Sequence, residues 1–387
     1  MGINPLRTIL PALLLIVAGS CKKQKEGEGN TGFNITQRSE TASTCSELFL
    51  SAKHDINGQP YLYIAAKEGG LKIYTDGATP QLVKTVPISS LNALHVMNLS
   101  QQGNYLYLAL GNHFGTAQQS PGFAILDVTS PLNPVIKKVW SNTALTGGTG
   151  IIETAGDYAY LGAMGNGLMI FNISDKANPV LQSVFKPSIY YPDNNPDPAK
   201  FNVRGMAVKN DVVYLCFDAG GLRIINVSDK QHPRETGRFA NPVMNGKPRA
   251  YNNIVVDGEN AYIAVDYCGM EVLNIGDTAA ITLKGWWNPW NCETNPFNWF
   301  SSNGHANEIV FDAARKLLFI SSGKSDLQVA DVSDPAHPKF KYEFGGISNN
   351  IGTWGVSVYN KEIYLTYICS AIPFSSNWTG LKVLAYN

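Results

Sequence analysis

The chain has no surplus of charge of either sign. Its 387 residues include 30 Lys+Arg and 30 Asp+Glu, and only 16% of residues are charged. Without a basic excess there is nothing to release counterions from nucleic acid, so polyanion binding by bulk electrostatics is excluded. Long apolar runs are also missing. The stretch from Thr8 to Val17 (TILPALLLIV) is far short of the roughly 20 residues that a bilayer-spanning helix needs. Catalytic signatures readable from spacing are absent too: there is no G-x-S-x-G, H-E-x-x-H or P-loop, and no G-x-G-x-x-G following a strand. What the chain does hold is 36 Gly, 11% aromatic residues and 44% hydrophobic residues. That mixture argues against extensive disorder and for a β-rich globular body. The length would fit several ordinary domains or one large ring.

The first thirty residues read as an address. One charge, Arg7, precedes the short apolar stretch, and Ala18, Gly19 and Ser20 lead directly to Cys21. Residues 1–20 have the layout of an export signal. The small residues ending in Cys look like a bacterial lipobox, although Ala18 stands where Leu is usual. The resemblance implies lipidation of Cys21, and Lys at residue 22 implies the outer membrane. Residues 21–32 then read as a flexible, lipid-anchored tether.

Residues 33–387 repeat one unit seven times. GGLKIYTDGATP (69–80), GLMIFNISDKANP (167–179), GLRIINVSDKQHP (221–233) and DLQVADVSDPAHP (326–338) are four of the seven copies, and across all seven the Leu-like position, from Leu71 to Leu381, recurs every 45–57 residues. An aromatic-bearing apolar run precedes each copy, as in YLYIA (61–65) and VVYLCF (212–217). Alternating segments lie before and after. Four short strands per unit with period-2 alternation, in a sheet that cannot bury both faces alone, predict blades stacked around an axis. The expected fold is all-β, a seven-bladed β-propeller of four-stranded blades. The last copy ends after its third strand, so residues 33–41 are expected to supply the missing outer strand and close the ring.

The pattern Gly-Leu-x-Ile-x-Asn/Asp-Val-Ser-Asp, seen best in Gly221–Asp229 and Gly167–Asp175, resembles the LVIVD-repeat proteins of bacteria. The resemblance implies a secreted or surface propeller and supplies no catalytic motif.

Aligning the units separates scaffold from candidate chemistry. His232 and His337 precede a Pro in the turn to the fourth strand, where extended backbone is required, and Asp175, Asp229, Asp277 and Asp334 open that turn. The inner strands carry a column of His95, Gly150, Arg204, Asn252, Asn307 and Trp354, with Ser46 as its seventh member. Such a column should ring one mouth of the central channel, and His305 lies on the same strand face as Asn307. The long insertions 111–122, 186–201, 287–303 and 368–380 all belong to that face, where long loops carry function. Trp287, Trp290, Phe297, Trp299 and Phe300 in one of them, together with Tyr190, Tyr191 and Trp378, suggest stacking on a ligand. Asp193, Asn194, Asn195 and Asp197 supply hard oxygens, but their spacing matches no EF-hand loop, so no metal or cofactor is assigned. Ring closure brings Cys45 near Cys369, and Cys268 and Cys292 share a face; both pairs are expected as disulfides, with Cys216 buried and free.

The expected function is a lipid-anchored envelope module that binds a glycan, a peptide or an envelope protein, with ligand contacts from His95, Arg204, Asn252, Asn307, His305, Trp354, Trp290 and Trp299. One alternative is a hydrolase or lyase using His95, Arg204 and His305. Another is a structural or assembly lipoprotein.

Overall fold

A computed structural model describes residues 32–77, 79–295, 302, 304–347, 351–369 and 376–387. The expected signal peptide, Cys21 and all of the tether except Gly32 lie outside these residues. Seven four-stranded antiparallel sheets form the ring. The inner strands of blades one to seven are Ser51–His54, Val96–Gln102, Ile151–Ala155, Gly205–Lys209, Tyr251–Asp257, Ile309–Asp312 and Thr353–Tyr359.

Burial explains why each unit needs its neighbours. In blade four the second strand, Val212–Cys216, is buried over four successive residues, whereas the outer strand, Arg234–Phe239, alternates between exposed and half-buried. Residues buried on both faces must find apolar surface on both sides. Leu168 and Ile170 of blade three therefore share one core with Leu215, Ile225 and Val227 of blade four. This is the nearest-neighbour economy of repeat proteins.

The repeat's signature glycine has a steric reason. Gly70, Gly167, Gly221 and Gly269 hold φ between +73° and +93°. A Cβ there would lie 2.2–2.5 Å from the last carbonyl of the outer strand, so a larger residue would push that strand away. The turn aspartates serve as caps. Asp229 accepts from Gln231 N at 2.9 Å and its other oxygen meets His232 Nδ1 at 2.9 Å; Asp334 and His337 repeat the arrangement.

The N-terminal strand Ile35–Ala42 closes the ring. It pairs antiparallel with Gly380–Tyr386, from Ile35 opposite Tyr386 to Ala42 opposite Gly380. Blade seven is thus made from both ends of the described chain. Disulfides join Cys45 to Cys369 and Cys268 to Cys292, with Cα–Cα distances of 5.3 and 5.2 Å. Cys216 is buried and free, and burial pushes its thiol pKa up.

Candidate binding site at the channel mouth

The ring of residues at the mouth is set by a feature that alternation does not reveal. At the start of each inner strand, or just ahead of it, the pairing slips. Leu50, Gly150, Arg204 and Asn307 each donate their backbone N–H to the second strand at this slip, to Ala65, Gly162, Cys216 and Ser321. In blades two and five the ladder shifts across Met97 and Asn252, and in blade seven it shifts across Trp354 and Gly355. Bridges between neighbouring blades at Val96, Val203, Tyr251 and Thr353 fix the same register. The equivalent positions are therefore Leu50, Met97, Gly150, Arg204, Asn252, Asn307 and Trp354.

Two expected members move as a result. His95 stands two residues before Met97, level with His305 in its own blade, and faces Glu68 at 4.0 Å. Ser46 lies outside the strand, its hydroxyl 2.9 Å from that of Thr44, and Leu50 takes the seventh position. The inserted residue of a bulge changes the side on which each side chain emerges. Counting from the first apolar residue therefore misplaces both.

One arc of the mouth is filled. Leu48, Leu50, Met97, Ile368 and Cys369 form a buried cluster against which Phe114 and Trp354 pack. The Phe114 and Trp354 rings meet edge-to-face at 5.0 Å.

The other arc is polar and open. A well of about 40 Å³ is lined by Arg204, Asn252, Asn307, Glu308, His113 and Trp354, among others. A vestibule of about 760 Å³ adjoins it, lined by Asp193, Asp197, Lys200, Arg204, Asp218, Lys247, Arg249, Asp266 and His305. Arg204 belongs to both. The vestibule walls come from the insertion 186–201, the strand-connecting turns of blades four and five, and the segments leading into blades five and six. At its floor His305 Nε2 lies 2.9 Å from Asp266 Oδ1; both residues are buried. Tyr267 stands edge-on to the imidazole at 4.9 Å.

Burial sets the charge states. It raises the Asp218 pKa to about 6, against the opposing pull of Arg204 and of the Asn202 amide, which donates to it at 3.0 Å. The His113 pKa is lowered to about 3, first by burial and then by Arg204. Glu308 is raised to about 7 by burial. Asp193 is held by Arg249 at 2.6 Å, and Asp197 caps a short 3₁₀ turn through Ala199 N at 3.1 Å. Among the described residues, no three His, Cys, Asp or Glu side chains form a metal-sized group.

The aromatic residues of this face mostly serve the fold. Trp290 is half-buried beside the core of blades five and six, and its ring lies where a Cβ of Gly304 would be. Trp378 packs on Tyr367 at 5.0 Å, and Tyr191 lies between the guanidiniums of Arg223 and Arg238. Trp290 therefore has a packing role where a ligand platform was expected; Phe297, Trp299 and Phe300 lie outside the described residues. Tyr190 is 70% exposed.

Sequence reasoning did not single out Asp218, Asp266, Arg249 and His113. A signal existed for Asp218. It occupies a left-handed turn position, φ +50°, that Lys67 and Met164 hold at +47° in blades one and three. An acid in that turn column marks the polar arc, just as Arg204 does in the strand column.

Comparison with known proteins agrees with this architecture. The LVIVD repeat model matches residues 146–186, 202–241, 248–288 and 316–344. No curated protein matches the chain. Among solved structures, a chain of the mitotic checkpoint complex aligns with TM-score 0.60 at 9% identity, covering 98% of this chain and 99% of that one. The computationally designed Ika8 protein aligns with TM-score 0.54 at 9% identity, covering 87% and 83%. At such identities the likeness concerns the fold alone.

Proposed function

We propose that this seven-bladed β-propeller, in which LVIVD repeats are found, is an exported binding module whose ligand seat is the vestibule. The observation that carries this reading is the pairing of a vestibule of about 760 Å³ with a narrower polar well at the channel mouth. That volume lies within the usual range for small-molecule sites, where a few placed polar groups give orientation. The leader and Cys21 support a lipid-anchored envelope location, on the sequence pattern alone.

The test is equilibrium dialysis of the full chain against a cell-envelope extract, with retained compounds identified by mass spectrometry. Wild type should retain one class of compound that Ala199→Trp, an exposed vestibule position, does not. No retention, or retention that Ala199→Trp leaves unchanged, rejects the vestibule as the seat. Fractionation of Cys21→Ser tests the anchor, which predicts release of the protein from the membrane fraction.

One observation favours a second, hydrolytic reading. The His305–Asp266 contact holds an imidazole at the cavity floor, as a general base and its orienting acid would be held. His95 lies outside both cavities, so the candidate catalytic group is His305, Asp266 and Arg204. Turnover of chromogenic esters or glycosides that is lost in His305→Ala with folding retained would establish it.

A further inference from the structure

We propose that the well captures the carboxylate end of an acylated amino acid or peptide, whose body then fills the vestibule; this rests on the vestibule being the ligand seat. The argument begins with Arg204. It is half-buried, lines both cavities, and among the described residues its guanidinium has no hydrogen-bond or ion-pair partner. The neighbouring Arg249 differs sharply. Its nitrogens donate to Ala219 O at 2.9 Å, Met244 O at 2.7 Å and Asp193 Oδ2 at 2.6 Å. Arg249 is committed to the fold, whereas Arg204 keeps its planar fork of donors for something else.

The second observation is independent. Asn252 is only 6% exposed, and its Oδ1 is buried with no hydrogen-bond donor. Its Nδ2 donates to Ala306 O at 2.8 Å. Flipping the amide would set oxygen against oxygen, so the acceptor is fixed on the side that remains. A buried acceptor left without a donor is costly. The well therefore offers a cation for an acid and, beside it, an acceptor for an N–H.

The other well groups narrow the choice. His113 Nδ1 donates to Thr149 O at 3.0 Å in the neutral ring, which leaves Nε2 as a lone pair. Glu308 also lines the well, with Oε2 accepting from Val356 N at 3.1 Å. A dianionic phosphate would have one guanidinium and otherwise acceptors around it. A monoanionic carboxylate matches one guanidinium bidentately, and its α-amide N–H reaches the class of partner that Asn252 lacks. About 40 Å³ suits a planar terminal group or a few waters, not a ring.

The probes are an N-acetylated tripeptide acid, its C-terminal amide and inorganic phosphate, titrated into the full chain by calorimetry at about pH 8, where phosphate is a dianion and the Glu308 carboxyl, raised to about 7, is ionised. The acid should bind at least tenfold tighter than the amide, and phosphate should not compete. Arg204→Gln should abolish the preference for the acid, while Asn252→Asp should weaken the acid by placing a second carboxylate beside it. Melting curves report folding. Equal binding of acid and amide by wild type overturns the proposal whether or not the variants fold, as does effective competition by phosphate. A well that holds ordered water only would bind neither tripeptide at millimolar concentration. If the dialysis ligand is still retained through the vestibule, the carboxylate assignment alone falls. If Ala199→Trp has no effect either, the vestibule falls with it.

Discussion

The two arcs of the channel mouth are built from one repeat position and have opposite chemistry. Blades seven, one and two contribute Trp354, Leu50 and Met97, which pack against Leu48, Ile368 and Phe114. Blades four, five and six contribute Arg204, Asn252 and Asn307, the polar side of a well whose other wall includes Met97 and Trp354. The difference tracks where the ring must be sealed. The apolar arc contains the closure, including the Cys45–Cys369 bond, and the arc away from the seam holds polar side chains, of which Asn252 and Asn307 are buried and donate to Ala306 O and Thr353 O. The seal and the polar groups thus occupy different sectors of a nearly symmetric fold.

The largest test removes the seal. Deleting residues 33–42 strips the outer strand from blade seven and exposes Gly380–Tyr386 as an unpaired edge. Circular dichroism should show loss of cooperative unfolding, since a propeller depends on short, protected edges. The disulfides come next. Replacing Cys45 and Cys369 by Ala should cost about 2 kcal/mol more than replacing Cys268 and Cys292, because the bonds span 324 and 24 residues and unfolded-chain entropy grows with loop length. Equal denaturation midpoints for the two double variants would mean that the seam is held by strand pairing alone.

Exchanging the arcs' residues should have unequal effects. Leu50→Arg places a charge among buried apolar side chains and should cost about 3 kcal/mol or more. Arg204→Leu should change stability by less than about 1 kcal/mol, because the guanidinium holds no structural bond. Urea unfolding of both variants measures the asymmetry, and similar losses would refute the division of labour.

Two buried carboxyls also predict a pH effect. Burial raises Glu271 and Glu308 to about 7, although Asn241 and Tyr251 donate to Glu271 at 2.8 and 2.6 Å. A carboxyl whose folded pKa is raised keeps its proton in the folded state, so stability falls as pH rises toward that value. Stability in thermal melts should therefore fall progressively from the ordinary carboxyl value of 4.5 to about pH 7 and level off above it. Glu271→Gln should flatten part of this slope. The smallest expected effect is His232→Ala or His337→Ala. Each histidine pairs with an exposed aspartate in a turn far from both arcs, and removing it should stay within about 0.5 kcal/mol of wild type.

Much of the ring was legible because its causes are local. Alternation predicts the strands, the Gly-Leu step predicts the turn, and the missing last strand predicts closure by residues 33–41, which the strand Ile35–Ala42 performs. The mouth was only partly legible. Arg204, Asn252, Asn307 and Trp354 fall in the expected column, but the bulge before each strand moves His95 out of it and brings Met97 in. The vestibule was invisible because its walls come from separate segments that meet only after blades three to six stack. The packing of Trp290 was equally hidden: in sequence it suggests a ligand platform, and only Gly304, just past that insertion, shows that the ring also has a socket.

The closing strand has a directional consequence. Its first residue pairs with the end of Gly380–Tyr386 and its last with the beginning, so the chain enters blade seven from the side of the short turns and climbs toward the insertions. Asn34 N donates to Asn387 Oδ1 at 2.8 Å on that lower side. Any surface gripping the chain upstream of residue 32 therefore meets the underside of the disc. The vestibule opens on the opposite face, and which face the chain enters from is set by strand polarity rather than by any feature of the cavity.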